Sequence, residues 1–359
     1  MKVAFFGSSL VSAYWNGAAT YYRGMLRALH GRGHEIVFYE PDAWERQKHR
    51  DIADPPYASS VVYPVEKEWQ VLQTVESAAK GADLLVKASG VGIFDAVLEE
   101  AVLELRKPRT AVAFWDVDAA ATLERMRKEP KDSLRRLIPR YDLVLTYGGG
   151  APVIQGYRDL GAKACIPIYN ALDPSTHYAV PPDLRFEADL NFLGNRLPDR
   201  EQRVFEFFFQ PARSNPELRL VLGGSGWNEV TGAFANVRYV GHVYTADHNA
   251  FNSTPRAVLN VCRDSMARCG FSPPTRVFEA AGAGACLITD DWEGMEKFLE
   301  PGRECLVARS GEEVSEHLRS LTSARSRDIG QAALRRVLDV HTYGQRAAEL
   351  ERALGDLGA

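Results

Sequence analysis

The chain has 359 residues, of which 45% are hydrophobic and 25% charged, with a formal net charge of −4. This length exceeds what one hydrophobic core normally serves, so two domains of ordinary size are expected, with the composition of a globular protein. The slight acidity gives no electrostatic case for nucleic acid or anionic lipid as the main partner. No run approaches the roughly 18 apolar residues of a membrane span. The five cysteines contain no Cys-x-x-Cys pair, which favours reduced thiols and a cytoplasmic location.

The first half of the chain alternates short apolar runs with helical patterns. The first run, Val3–Phe6, ends at Gly7, and a helix follows with apolar residues at i, i+3, i+4 and i+7 from Tyr22. Ile36–Tyr39 is the next strand, and further apolar runs begin at Asp83, Thr110, Asp142 and Ala164. Continuous apolar runs separated by helices are typical of a parallel sheet covered on both faces.

A break separates this series from a second one. Residues 172–187 are rich in proline and polar residues, which predicts a linker. The predicted organisation is an N-terminal Rossmann-like domain over 1–171, the linker over 172–187, a C-terminal Rossmann-like domain over 188–330, and a C-terminal helix over 331–359 that returns to the first domain. The fold class is therefore α/β, with two doubly wound domains. Ligands are expected in the cleft where the carboxyl ends of both sheets face each other.

The most informative segment is NVCRDSMARCGFSPPTRVFEAAGAGACLITDD, residues 260–291. A strand ends near Cys262, and a helix is predicted to start near Thr275 after a loop that carries Ser272. The N-terminus of a helix presents unpaired N–H groups and a positive partial charge, so it binds phosphate well.

Charged residues in the same segment suit a nucleotide. Arg263 and Arg276 provide charge-assisted, bidentate contacts to phosphate. Glu279 suits a diol such as ribose, because a carboxylate accepts hydrogen bonds from two hydroxyl groups. The alternative is a capped helix on which Arg276 and Glu279 form an ordinary i, i+3 pair at the surface.

This segment resembles the donor-binding motif of GT-B glycosyltransferases, in particular the CgeB-type family named from spore maturation. The features are Arg-Asp-Ser, GFSP, TRVFE, a helix of small residues and LITD. The resemblance extends to AFFGSSLVSAYWNGAATYYRG, FWDVD, FLGNRLPDR, GGSGW and GHV, and so covers most of the chain. It implies a GT-B fold with an acceptor-side first domain and a nucleotide-sugar donor second domain. The implied activity is sugar transfer from a UDP-, dTDP- or GDP-linked donor, with no bound metal or other cofactor. The acceptor, which is a small molecule, a glycan or a protein, is not implied, and neither is the oligomeric state.

The resemblance also assigns roles to residues outside the central segment. It implies that Glu279 holds the ribose and that His242 borders the nucleobase. It also implies that the loop Gly194-Asn195-Arg196 lies near the diphosphate, where Arg196 or Arg200 supplies charge. It places the loop of Asn16 and Gly17 against the donor or the acceptor. Gly224, in a glycine cluster at the end of another strand, is a weaker candidate for donor binding.

Two features leave the reaction type open. Many retaining GT-B enzymes carry a second glutamate eight positions before the ribose glutamate, where this chain has Phe271. An inverting transferase needs a group that takes the acceptor proton. Asp116 and Asp118, which follow the strand AVAFW, are the candidates, although Asp118 also suits a helix cap.

Other functions were weighed against sugar transfer. A nucleotide-sugar epimerase shares this fold but needs an acid/base pair in the second domain, and none stands out. A nucleotide-sugar-binding or structural protein without catalysis is compatible with Phe271. A dinucleotide dehydrogenase is disfavoured because the first loop lacks the GxGxxG spacing. The chain has no HExxH motif, clustered Cys/His set or GxSxG motif, so no metal site is predicted.

Overall fold

The computed structural model describes residues 1–14 and 16–356. The chain divides into two compact units. Unit 1 comprises Met1–Asn170 together with the C-terminal helix that starts at Tyr343, and unit 2 comprises Ala171–Thr342. The last three residues of the helix predicted over 331–359, and Trp15 in the first loop, lie outside the described residues.

Unit 1 contains a sheet of seven parallel strands. The strands are β1 (Lys2–Phe6), β2 (Glu35–Pro41), β3 (Ser59–Tyr63), β4 (Leu84–Ala88), β5 (Ala111–Asp116), β6 (Leu143–Thr146) and β7 (Cys165–Pro167). Their order across the sheet is β3-β2-β1-β4-β5-β6-β7. The apolar runs predict all of these strands except β3, an edge strand whose side chains are mostly exposed.

Helices connect the strands of unit 1. They are α1 (Ala19–Gly31), α2 (Glu68–Ala79), α3 (Asp95–Glu104), α4 (Ala119–Lys128), α5 (Ser133–Leu137) and α6 (Ala151–Asp159). The predicted apolar face of α1 is buried, including Tyr22, Met25 and Leu29. The helix ends at Gly31, and Gly33 then adopts a φ of 91°, which a glycine reaches without strain.

Unit 2 contains a second parallel sheet, of six strands. The strands are β8 (Leu190–Leu193), β9 (Leu220–Gly223), β10 (Val237–Gly241), β11 (Ala257–Asn260), β12 (Leu287–Asp290) and β13 (Leu306–Ala308). Their order is β10-β9-β8-β11-β12-β13. The predicted second series of strands is therefore confirmed.

The helices of unit 2 cover its sheet. They are α7 (Glu201–Val204), α8 (Gln210–Ser214), α9 (Asn228–Thr231), α10 (His248–Ser253), α11 (Asp264–Cys269), α12 (Thr275–Gly282), α13 (Gly311–Ser320) and α14 (Ser323–Val340). A π-helical turn, Phe205–Phe209, joins α7 to α8. Three of its phenylalanines, Phe207–Phe209, are buried in the core of unit 2 with Trp227.

The last helix, α15 (Tyr343–Asp356), packs on α1 within unit 1. Gly24 of α1 makes this close approach possible, because a Cβ atom at that position would lie 2.2 Å from the ring of Tyr343. The salt bridge between Arg32 and Glu351, 2.6 Å long, holds the far end of the same contact.

The residues predicted as a linker pack within unit 2. Leu172 and Phe186 are buried, and Leu172 forms a parallel β-bridge with Thr342 at the other end of the unit. Within the described residues, no helix is both long and apolar enough to cross a membrane. The five cysteines are free thiols, and all except Cys269 are buried.

Each sheet has one point at which the strand order reverses. This switch point lies between β1 and β4 in unit 1 and between β8 and β11 in unit 2. In open α/β sheets the crevice outside the carboxyl ends of the two switch-point strands is where ligands bind. A ligand site is therefore expected at the loops that follow these four strands.

Candidate functional site

At the switch point of unit 2, two of the predicted loops lie side by side. Gly194 follows β8, and Arg263 follows β11 at the N-terminus of α11. Asp199 joins the two loops: its carboxylate accepts from Nε of Arg263 at 2.6 Å, and its carbonyl accepts from the backbone N–H of Asp264 at 2.7 Å. These two hydrogen bonds fix the loop after β8 relative to the loop after β11.

The helix predicted to start near Thr275 begins at that residue as α12. The residue before it, Pro274, makes no side-chain cap hydrogen bond. The hydroxyl of Ser272 donates to the carbonyl of Gly270 at 2.9 Å, so this side chain stabilises the loop and does not cap the helix. The first turn of α12 therefore keeps the character of an anion site.

Three guanidinium groups, those of Arg200, Arg263 and Arg276, form a cluster near this helix start. Burial lowers the pKa of Arg200 to about 10; Asp199 opposes the shift, and the positive charges of Arg263 and Arg276 add to it. The Nε atoms of Arg200 and Arg276 are buried without a hydrogen-bond partner. Buried donors and neighbouring like charges are both costly, and an anion bound among the three would relieve both. In the sequence prediction Arg200 is the alternative to Arg196 as the charged residue of the loop after β8.

Glu279 lies one turn into α12 and is 6% exposed. Its Oε2 atom lies 3.1 Å from Nη1 of Arg276, which also donates to Oδ1 of Asn252 at 3.1 Å. Burial by itself raises the pKa of Glu279, but Arg276, two nearby histidines and a hydrogen bond from Thr275 together lower it to about 2. The i, i+3 pair is thus present but buried, and Glu279 is an anion that only accepts hydrogen bonds.

The two histidines beside Glu279 are missing from the sequence prediction. Nε2 of His177 lies 4.0 Å from Oε1 of Glu279, and the ligand atoms of His177, His248 and Glu279 all lie within 4.8 Å of one another, a set that can hold a metal ion. Burial, partly offset by Glu279, lowers the pKa of His248 to about 4. The small residues of α12 are the one indirect sequence signal for this contact. A Cβ atom at Gly282 would lie 3.0 Å from the carbonyl oxygen of His177, so the glycine leaves space for the His177 segment to pack on the helix.

Gly224 and Gly194 make a close backbone contact at the same edge of the sheet. A Cβ atom at Gly224, where φ is 112°, would lie 2.3 Å from the carbonyl oxygen of Gly194. That oxygen accepts from Nε1 of Trp227 at 2.7 Å, and Oδ1 of Asn195 accepts from the N–H of Ser225 at 2.9 Å. The loops after β8 and β9 therefore support each other, and Trp227 is a fully buried part of this contact.

Arg196 follows β8, and His242 follows β10. Arg196 forms an ion pair with Glu201, with 2.5 Å between Nη2 and Oε1. His242 is exposed just after β10, with its ring edge-on to Tyr244 at 4.7 Å.

The two aspartates of unit 1 differ in accessibility. Asp116 has no exposed surface, and its carboxylate accepts from Ser89 Oγ at 2.7 Å, Asp118 N at 3.0 Å, Thr122 Oγ1 at 3.0 Å and the hydroxyl of Tyr157. These bonds occupy the carboxylate, so it organises the end of β5 and does not meet solvent. Asp118 is partly buried at the N-terminus of α4 and makes no side-chain cap hydrogen bond.

The loop after β1 is stabilised by Asn16. Its Nδ2 atom donates to the carbonyl oxygens of Ser9 at 2.8 Å and Ser12 at 3.0 Å, and its Oδ1 atom accepts from Ser8 at 2.8 Å. Asn16 is buried, so these contacts account for its side chain. A Cβ atom at Gly17 would meet nothing within 4 Å, so packing does not require glycine there.

One family model and several solved structures are similar to this chain. Residues 200–352 match a family model described as glycosyl transferase-like, and a search of curated proteins found no match. Three solved structures are similar over nearly the whole chain. They are HepE of Anabaena in complex with UDP-glucose (13% identity, TM-score 0.70, covering 99% of this chain and 100% of that one), sucrose-phosphate synthase of Thermosynechococcus elongatus (14%, 0.69, 99% and 99%), and AviGT4, a glycosyltransferase involved in avilamycin A biosynthesis (16%, 0.63, 100% and 99%).

The chain has the GT-B fold, and the glycosyl transferase-like family model covers its C-terminal part. The matched residues, 200–352, include all three arginines of the cluster and Glu279. The predicted GT-B architecture, with two Rossmann-like parallel sheets, is thereby confirmed. The narrower CgeB-type assignment stays a prediction.

Proposed function

We propose that this GT-B chain is a CgeB-type glycosyltransferase that moves a sugar from a UDP-sugar to an acceptor without a bound metal ion. The observation that carries the proposal is the arginine cluster beside the start of α12, with Glu279 one turn further along the helix. A nucleoside diphosphate offers matching chemistry, because a charged diphosphate adjoins a ribose diol.

The diphosphate binds at the arginine cluster. Arg200 and Arg276 each have a buried Nε–H without an acceptor, and phosphate oxygens are strong acceptors for guanidinium groups. The first-turn amides of α12 add further donors. The chain as a whole is acidic, so this local positive charge is what attracts the ligand.

The ribose binds at Glu279. Because Oε2 is held by Arg276, Oε1 is the oxygen that accepts from the ribose hydroxyls. His177 and His248 lie beside the carboxylate, with their ligand atoms within 4.8 Å of it and of each other, and in this proposal both act as positioning residues.

The choice of UDP is supported by similar structures. The HepE structures contain UDP and UDP-glucose, and the match covers 99% of the present chain. GDP- and dTDP-linked donors are the alternatives that the experiment separates.

The charges already present support the proposal that no metal ion is required. Arg200, Arg263 and Arg276 lie where the diphosphate is proposed to bind, and two of them, Arg263 and Arg276, also pair with Asp199 and Glu279. A cation bound by His177, His248 and Glu279 would sit next to the guanidinium of Arg276, which disfavours it electrostatically.

On the acceptor side, Asp118 is the proposed base of an inverting reaction, and the buried Asp116 positions it. Asp116 accepts from the backbone N–H of Asp118 at 3.0 Å, which fixes the start of α4. Asp118 is the more accessible of the two carboxylates. Proton removal by such a group contributes about 100- to 10,000-fold in rate.

The proposal is tested by calorimetric titration of UDP, GDP, dTDP and ADP, with and without EDTA. UDP is expected to bind most tightly, and its affinity to be unchanged by EDTA. Glu279→Gln is expected to weaken UDP binding by about 1.5–3 kcal/mol, the range for hydrogen bonds to a charged group. Glu304→Gln is the matched control, since Glu304 is equally buried in unit 2 but accepts from the N–H of Glu300. Equal UDP binding by both variants would remove Glu279 from the site, and loss of binding in EDTA would assign the histidines to a metal ion.

A further inference from the structure

An exposed tryptophan that the donor site does not use lies beside the switch point of unit 1. Trp44 lies just after β2 and is 57% exposed. Its indole Nε1 atom faces the loop after β4: a Cβ atom at Gly92 would lie 3.1 Å from it. The ring therefore rests on the loop that follows one of the two switch-point strands.

Arg46, two residues after Trp44, links two neighbouring loops of unit 1. Nη1 of Arg46 donates to the carbonyl oxygen of Ser8, after β1, at 3.0 Å and to that of Val91, after β4, at 3.3 Å. Arg46 is itself buried. One side chain next to Trp44 thus joins the two loops between which ligands of open α/β sheets bind.

The backbone at Trp44 is strained. Trp44 and Glu45 have φ values of 59° and 54°, and Phe94, beyond Gly92, has a φ of 53°. Left-handed backbone is unfavourable for bulky residues and persists where the surroundings enforce it, often at ligand sites. Because Trp44 is mainly in solvent, burial of its ring does not offset this strain in the free protein.

We infer that Trp44 is an acceptor-binding residue and that the acceptor presents a saccharide ring at this point. An exposed indole offers a flat apolar face, against which the C–H face of a pyranose packs, and the hydroxyls at the rim of the sugar stay free to bond to polar groups. This inference rests on the proposed function, since it names the class of molecule that receives the sugar.

The test uses saturation-transfer NMR with the full chain and methyl glycosides of glucose, galactose, mannose and N-acetylglucosamine. Signals from the pyranose C–H protons of at least one glycoside are expected. Trp44→Ala should weaken that binding by at least about tenfold, equivalent to about 1.4 kcal/mol. Trp44→Tyr, which keeps a flat ring, should retain it.

Trp69→Ala is the matched control, because Trp69 is 61% exposed in the same unit but lies on α2. It should bind glycosides as the unmodified chain does. Thermal unfolding of each variant checks the fold. Absence of glycoside binding to the unmodified chain, or undiminished binding by Trp44→Ala, would overturn the inference.

A parallel UDP titration separates the two proposals. Normal UDP binding without glycoside binding would remove only the saccharide acceptor, whereas absent UDP binding would remove the proposed function itself. Trp44→Ala should leave UDP affinity unchanged, because its effect is confined to unit 1.

Discussion

Gly224→Ala tests whether the close contact between the loops after β8 and β9 shapes the donor site. The substitution places a methyl group 2.3 Å from the carbonyl oxygen of Gly194, at a φ of 112°. Ordinary non-bonded contacts lie near 3.5–4.0 Å, so the loops must separate by on the order of 1 Å. A non-glycine residue in such a conformation costs about 1–3 kcal/mol.

The expected total is a destabilisation of roughly 2–4 kcal/mol, once the displaced backbone is included. For a unit of this size, each kcal/mol lowers Tm by about 2–4 °C, which gives a fall of roughly 4–16 °C. UDP should bind at least about tenfold more weakly, because Asn195 and the start of α7 move with Gly194. Differential scanning calorimetry and UDP titration measure the two effects.

Gly232→Ala is the control for this substitution. Gly232 has a φ of −59°, and a Cβ atom there meets nothing within 4 Å, so its stability should change by less than about 0.5 kcal/mol. If Gly224→Ala does not fold, Trp227→Phe removes the Nε1–H that donates to Gly194 without changing the backbone. It should weaken UDP binding in the same direction. Equal Tm and UDP affinity in Gly224→Ala and Gly232→Ala would refute the reasoning.

Three further predictions concern ionisable side chains. Arg276→Gln should weaken UDP binding by about 1.5–3 kcal/mol and uridine binding much less. The control is Arg256→Gln, which lies before β11 at the amino ends of the strands and should change neither affinity. If Arg276→Gln weakened UDP and uridine binding equally, the phosphate contact would be excluded. Asp116→Asn should lower Tm because four hydrogen bonds converge on it, whereas Asp118→Asn should keep Tm and lower turnover; the reverse pattern would exchange their roles. His248 has a folded pKa of about 4, below its ordinary 6.5, so the unfolded chain binds more protons between these values and stability should fall as pH drops from about 6.5 to about 4. His248→Gln should flatten that part of the stability profile, which urea unfolding measures, and an unchanged slope would contradict the assigned burial.

Most of the fold was predictable because buried parallel strands have a simple sequence pattern. The runs at β1, β4 and β5 are continuous and apolar, and those strands are buried. β3 lacks this pattern because an edge strand exposes most of its side chains. The proline-rich segment after residue 171 resembles a linker for a related reason: its burial depends on single residues such as Phe186, without any periodicity.

The arrangement of the candidate site was predictable only where its residues are close in sequence. Arg276 and Glu279 share one helix, so a single motif reveals both. His177 and His248 reach the same carboxylate from segments far apart in the chain, and no local pattern links them to it.

The pair Arg196 and Arg200 shows a different limit of prediction from sequence, which concerns the direction of a side chain. Both follow β8, and their residue type is identical. Arg196 pairs with Glu201, whereas Arg200 turns to the carbonyl of Asn195 at 2.6 Å and keeps a buried Nε–H without a partner. Side-chain direction decides which charge remains for a ligand, and the sequence does not specify it.

The buried Nε–H groups of Arg200 and Arg276, which have no hydrogen-bond acceptor, also affect the stability of the protein. Two buried Nε–H groups without acceptors, in a set of three like charges, destabilise the free protein. A bound diphosphate supplies acceptors and negative charge together, so its binding free energy includes the relief of that cost. The stabilisation by ligand follows RT ln(1 + [L]/Kd), and it acts on the loops after β8 and β11 and on the start of α12. Under the proposed function, binding and local order at the switch point of unit 2 are therefore coupled, because the guanidinium groups that destabilise the protein alone are the ones proposed to contact the diphosphate.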